Sequence, residues 1–198
     1  MKKVLSLVTM LAALAGSASA APYVLPSPQP GALTAYDVQP VYAVDALYAL
    51  GDDVPDTWGV RGSLNLYSDA ESSFRHQFSL NVAYMSGDET IDGVKGEMEL
   101  IPVTLGYDMN IEITDNVMFT LGGKAGYAFG EGEAKYEDLK ETADLDGFTF
   151  SVGAGIKIQC SETVYVRAGY EYAKTCTDCN DVDDVKQHII SVGIGCQF

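Results

Sequence analysis

Beyond its first twenty positions, this 198-residue sequence has no run of eighteen consecutive apolar residues. A helix that crosses a bilayer needs about 20, so the rest of the chain offers no such span. Positive charge is scarce: 12 Lys and Arg stand against 28 Asp and Glu, a net charge of −16. Nucleic-acid binding needs a basic footprint and is excluded. Only two histidines are present, His76 and His188, so imidazole acid–base chemistry is confined to two places. Among the four cysteines, no second pair accompanies the C-x-x-C of Cys176 and Cys179, as the usual zinc-site spacing requires.

What is present begins with an export signal. Lys2 and Lys3 precede an apolar core, Val4 to Ala15, and Ala18-Ser19-Ala20 forms a cleavage site. Residues 1–20 are therefore expected to be a cleaved signal peptide, and disulfides become permissible. Residues 21–40 carry Pro22, Pro26, Pro28, Pro30 and Pro40, which predicts an extended arm. The domain proper is expected over 41–198.

There the period is two. The last residues, QHIISVGIGCQF, place Ile190, Val192, Ile194, Cys196 and Phe198 on one face and Ser191, Gly193, Gly195 and Gln197 on the other. In water such a stripe would invite aggregation; in a transmembrane barrel it faces lipid. Seven further segments repeat the pattern, at about 41–50, 57–67, 74–85, 97–109, 117–130, 148–158 and 163–173. About ten residues each is what a tilted strand needs to cross a bilayer, against ~5–6 for strands in soluble proteins. The opposing faces are rich in glycine and carry charge. The spacing thus predicts an all-β fold, an eight-stranded antiparallel up-and-down transmembrane barrel. Twelve Tyr, seven Phe and one Trp supply its interfacial girdles.

The connections alternate in length. SDAESS, NIEITDN and QCSET are short; SGDETIDGVKG, EGEAKYEDLKETADLD and KTCTDCNDVDDVK are long. Short periplasmic turns and longer outer loops are the bacterial arrangement, which puts both ends of the barrel domain and the proline-rich arm in the periplasm. Counted over 51–56, 86–96, 131–146 and 174–186, 17 of the 28 acids gather at the outer end.

The pattern over 41–198 resembles the small eight-stranded outer-membrane barrels of Gram-negative bacteria, of the opacity-protein, OmpX and OmpA-barrel type. The terminal SVGIGCQF and the segment IPVTLGYDMN carry the likeness. The resemblance implies an outer-membrane location. It also implies that Ile190, Val192, Ile194, Cys196 and Phe198 form the signal read by the outer-membrane insertion machinery.

An eight-stranded barrel is only wide enough for side chains to fill it, and buried charges must be paired. Asp45, Arg61, Arg75, Asp108, Lys124, Lys157, Arg167 and Glu171 are therefore expected to form an internal network. Asp178, Asp181, Asp183 and Asp184 superficially resemble a calcium loop but lack its Gly and terminal Glu. Cys176 and Cys179 suit a local disulfide that pins the last outer loop. Cys160 and Cys196 are separated by a strand, and whether they bridge stays open. A nucleophile and its base must share a face. Ser79 lies three residues from His76 and Ser191 three from His188, so each pair falls on opposite faces of a strand.

These observations point to a monomeric, non-enzymatic structural or adhesive protein of the cell surface, with no cofactor. Its partners would be outer-membrane lipid, lipopolysaccharide, and divalent cations or a surface ligand at the loops. The alternatives are a narrow passive channel and a lipid-modifying barrel enzyme.

Overall fold

Alternation of this kind leaves every backbone N–H and C=O free to pair sideways, and in lipid only a closed ladder satisfies them all. The computed structural model describes residues 39–52, 54–68, 74–91, 94–136, 139–161, 163–177 and 184–197. The expected signal peptide, nearly all of the arm, Cys179, Asp178, Asp181, Asp183 and Phe198 lie outside them.

The strands are β1 (Gln39–Gly51), β2 (Thr57–Ser68), β3 (Phe74–Ile91), β4 (Val94–Thr114), β5 (Val117–Tyr136), β6 (Leu139–Asp144), β7 (Gly147–Gln159), β8 (Val164–Thr177) and β9 (Val185–Gln197). Each pairs antiparallel with its neighbours, and β9 returns to β1 through Asp45↔Gly193 and Ala46↔Val192. Eight strands close the barrel as expected; β6 is an added strand that, among the described residues, pairs with β5 alone.

Outward positions are large and apolar. Leu105 is 69% exposed, Val192 60% and Val152 59%, values that only a lipid solvent makes favourable. Aromatic contacts mark the outer margin of this belt, as at Tyr48 and Trp58, whose rings lie 4.3 Å apart.

Two expectations need correction. Residues 86–96 and 131–146 are not mainly loops. The β3–β4 ladder runs on to Ile91↔Val94, and the β5–β6 ladder reaches Tyr136↔Leu139. Together the four strands raise a blade above the rim set by Gly51 and Thr57. Apolar alternation stops where lipid stops, but backbone pairing does not depend on it, so the pattern marks the bilayer and not the strand ends.

The second correction concerns the lumen, whose polarity is layered. Toward the outer end, Leu47, Ala49, Ala83, Met85, Met98, Leu100, Ala128, Leu145, Val185 and Ile189 pack into a buried apolar stopper. Leu145 reaches it from the segment after β6, held by its N–H to the Gly130 carbonyl at 2.9 Å and by Asp146 Oδ1, which accepts the Gly130 N–H at 2.8 Å. Val41, Ala43 and Tyr165 form a second apolar cluster near the periplasmic end.

Candidate functional site

Between these layers lies the charged section of the lumen. Asp45, fully buried on β1, accepts two hydrogen bonds from Arg167, Nε to Oδ1 and Nη2 to Oδ2, both 2.6 Å. Its Oδ2 also accepts Arg61 Nε at 2.8 Å. Arg61 Nη1 reaches Glu171 Oε1 at 2.6 Å, and Lys124 Nζ meets the same oxygen at 2.5 Å. Ser151 donates to Glu171 Oε2 at 3.3 Å and Arg167 Nη2 donates to Ser63 Oγ at 3.2 Å. Five strands thus contribute to one charge-assisted cluster.

Lys157 sits lower, on β7. Its ammonium donates to Gln77 Oε1 and, at 2.6 Å, to Asn110 Oδ1. Gln77 passes the interaction on, since its Nε2 donates to Asn65 Oδ1 at 2.7 Å and Asp108 Oδ2 at 3.1 Å. Gln77 thus links Asp108 to Lys157. Arg75 departs from the expected network. It has the inward parity of β3 but lies at the periplasmic rim, where its half-exposed side chain pairs with Glu112 at 2.6 Å.

The glycines of the inward face have a use here. Asp45 lies directly opposite Gly193, Asp108 opposite Gly122 and Glu171 opposite Gly153. A Cβ at any of these glycines would collide with the facing acidic side chain. The missing side chains leave room for the buried acids to lie along the wall.

Sequence reasoning missed the amides Asn65, Gln77 and Asn110 and the stopper. The amides were legible, since they share the inward parity of the charges; so were Leu47 and Met85. Leu145 lies after the last residue of β6, and no periodicity points to it.

The remaining site residues lie apart. Ile190, Val192 and Ile194 face outward, with Cys196 below them. Asp184 pairs with Lys174 at 2.6 Å. Cys160, Cys176 and Cys196 carry free thiols. Val164 lies between Cys160 and Cys196, bonded to the first through its carbonyl and paired in register with the second. His76 Nδ1 lies 2.7 Å from the Tyr107 hydroxyl, and His188 Nδ1 lies 2.5 Å from that of Tyr170. One such pair marks each end of the apolar belt. Ser79 and Ser191 are buried on the lumen side, across the wall from these histidines.

On the blade, acid faces acid: Asp88↔Glu97, Glu97↔Glu133 and Glu99↔Glu131. Lysines relieve the repulsion. Lys95 meets Glu97 at 2.7 Å, Lys135 meets Glu97 at 3.4 Å and also Glu133, and Lys140 meets Glu133 at 2.5 Å. The hydrogen bond from Lys95 holds the Glu97 carboxyl below its ordinary pKa, and that from Lys135 does the same for Glu133. A carboxyl whose pKa is depressed by folding contributes stability above its unfolded pKa and loses it as pH falls through the folded value. Lys95 and Lys135 are shifted upward by the same carboxylates, so their contribution is lost only above the ordinary lysine range. The clasp is therefore complete at neutral pH. Acidification below the ordinary carboxylate range is expected to lower amide protection in 94–99 and 131–136 while the barrel ladder keeps its own. Hydrogen-exchange protection factors in micelles measure this, and equal loss in blade and barrel would contradict it.

A closed antiparallel barrel with an apolar exterior, interfacial aromatics and a paired polar interior defines a transmembrane β-barrel of the outer membrane. The chain belongs to the outer membrane protein beta-barrel domain family, whose model matches residues 5–198. No curated protein sequence matches it. Among solved structures it is similar to Neisserial surface protein A, at 13% identity and a TM-score of 0.54, covering 81% of this chain and 97% of that one. It is similar to Ail, the attachment invasion locus protein of Yersinia pestis, solved with the heparin analogue sucrose octasulfate, at 15% identity and 0.51, over 81% and 97%. The outer membrane enzyme PagL matches at 13% and 0.52, over 79% and 99%. At these identities the likeness is one of fold.

Proposed function

We propose that the protein is a non-enzymatic, surface-exposed barrel that uses its acidic outer blade to engage a cationic surface, or divalent cations that link it to an anionic one. The observation that carries this reading is the blade itself. Its described strand residues, 87–91, 94–99, 131–136 and 139–144, hold eight carboxylates against three lysines, and they stand clear of the bilayer. The outer edge of β6 pairs with no other strand among the described residues, so it offers backbone donors and acceptors as well as charge. Hard cations take carboxylate oxygens, and the surrounding lipopolysaccharide is itself anionic.

Adhesion is supported by the name of Ail, an attachment protein of similar fold. The sulfated ligand in that structure suits a basic surface, and the blade here has the opposite sign. The channel alternative is less well supported, because the apolar stopper lies across the path of an ion. The enzyme alternative gains only the fold of PagL, since Ser79 and Ser191 lie across the wall from His76 and His188.

The test is a set of lysine substitutions at Glu131, Glu133, Glu141 and Asp144. Cell attachment or its divalent-cation dependence is expected to change, while heat-modifiable migration on a detergent gel stays that of a closed barrel. A set matching the parent in both attachment and cation dependence removes the reading.

A further inference from the structure

The lumen does not balance its charges. Among the described residues that face it within the bilayer, the cations are Arg61, Lys124, Lys157 and Arg167, and the anions are Asp45, Asp108 and Glu171. Arg75 and Glu112 at the rim neutralise each other. Lys157 and Asp108 are joined through Gln77 and cancel. The excess of one positive charge therefore falls on the upper cluster, where Arg61, Arg167 and Lys124 share only Asp45 and Glu171.

This excess sits between two apolar layers. The apolar stopper lies above it, and buried Asn65, Gln77 and Asn110 with the Val41, Ala43 and Tyr165 cluster lie below. An uncompensated charge on side chains this largely buried is costly. There is also space beside it. A cavity of about 60 Å³ is lined by the four cations Arg61, Lys124, Lys157 and Arg167 and by two carboxylates, Asp108 and Glu171, so its lining keeps a positive balance. That is room for several waters or one small ion, given that about 10–15 Å³ of such space admits a single water. Donors remain to hold an ion, since Arg61 Nη2 and Arg167 Nη1 give no hydrogen bond to a side chain among the described residues.

We infer that the lumen holds one small monovalent anion of chloride size, bound against Arg61, Arg167 and Lys124. The ion completes the charge balance of the barrel interior and is enclosed when the barrel closes. This inference is independent of the surface reading above, since it concerns side chains on the other side of the stopper.

The test refolds the full barrel into micelles in chloride, in bromide or in gluconate at equal ionic strength; gluconate is too large for the cavity. A ligand bound only to the folded state raises the folding constant by the factor 1 + [L]/Kd, about elevenfold at ten times its Kd. A saturable increase of this kind is expected in chloride and bromide but not in gluconate. Lys124→Gln removes the excess charge and is expected to abolish the halide increment. Crystals grown in bromide are expected to show an anomalous peak in the cavity, which decides the matter should Lys124→Gln fail to fold. Halide-independent folding of the parent with no bromide peak would overturn the inference. So would an undiminished halide increment in folded Lys124→Gln, which would place the effect elsewhere.

Discussion

Replacing Asp45 by alanine is expected to destabilise the folded barrel by about 3–5 kcal/mol, the range for breaking a buried ion pair from one side. Asp45 is fully buried and serves two guanidinium groups. Arg61 would keep Glu171, but Arg167 would lose the one carboxylate it meets among the described residues and retain Ser63. The measurement is equilibrium urea unfolding in lipid or micelles, followed by heat-modifiable migration. Asp45→Ala combined with Arg167→Met is expected to recover part of the loss, because the stranded charge goes with its partner. An Asp45→Ala barrel as stable as the parent would show that the cluster does not hold the interior together.

Val192→Arg is the second large effect. Val192 lies at the middle of β9, beside Ala46 and Ala168, with its side chain 60% exposed. In water an arginine there would be neutral or would improve solubility. At the middle of a bilayer the cost is about 2–4 kcal/mol, falling to about 0–1 near the interfaces. The same substitution at Leu50, at the outer end of β1, is therefore expected to cost much less. Unfolding from lipid vesicles compares the two sites. Equal costs at both would argue against the orientation of the apolar belt. The two predictions probe opposite faces of one wall, since Asp45 and Ala46 are adjacent in sequence and differ only in which solvent they meet.

Parity made the barrel legible. Once Val192 and Ile194 are set outward, Ser191 and Gly193 must turn in, and pairing carries that choice around the sheet. The same rule put Asp45, Arg61, Lys124, Arg167 and Glu171 inside together, although Asp45 and Glu171 are 126 positions apart. It failed at Arg75, because parity gives a direction and not a depth, and a long side chain at the rim turns to water. It failed again above the bilayer, where β3, β4 and β5 run on without apolar alternation. There the pairing is held by Lys95, Lys135 and Lys140 between facing acids, a pattern that in sequence looks like any charged loop.

The sequence by itself determined the solvent of each face, the number of barrel strands and the end at which the acids gather, because each follows from a period of two and from connection lengths. Only the tertiary structure decided which acid meets which base, and it alone brought Leu145 into the barrel mouth and set a glycine opposite each buried carboxylate. Those relations depend on the register between strands. Register is a property of closure, fixed when β9 meets β1 and by no single strand.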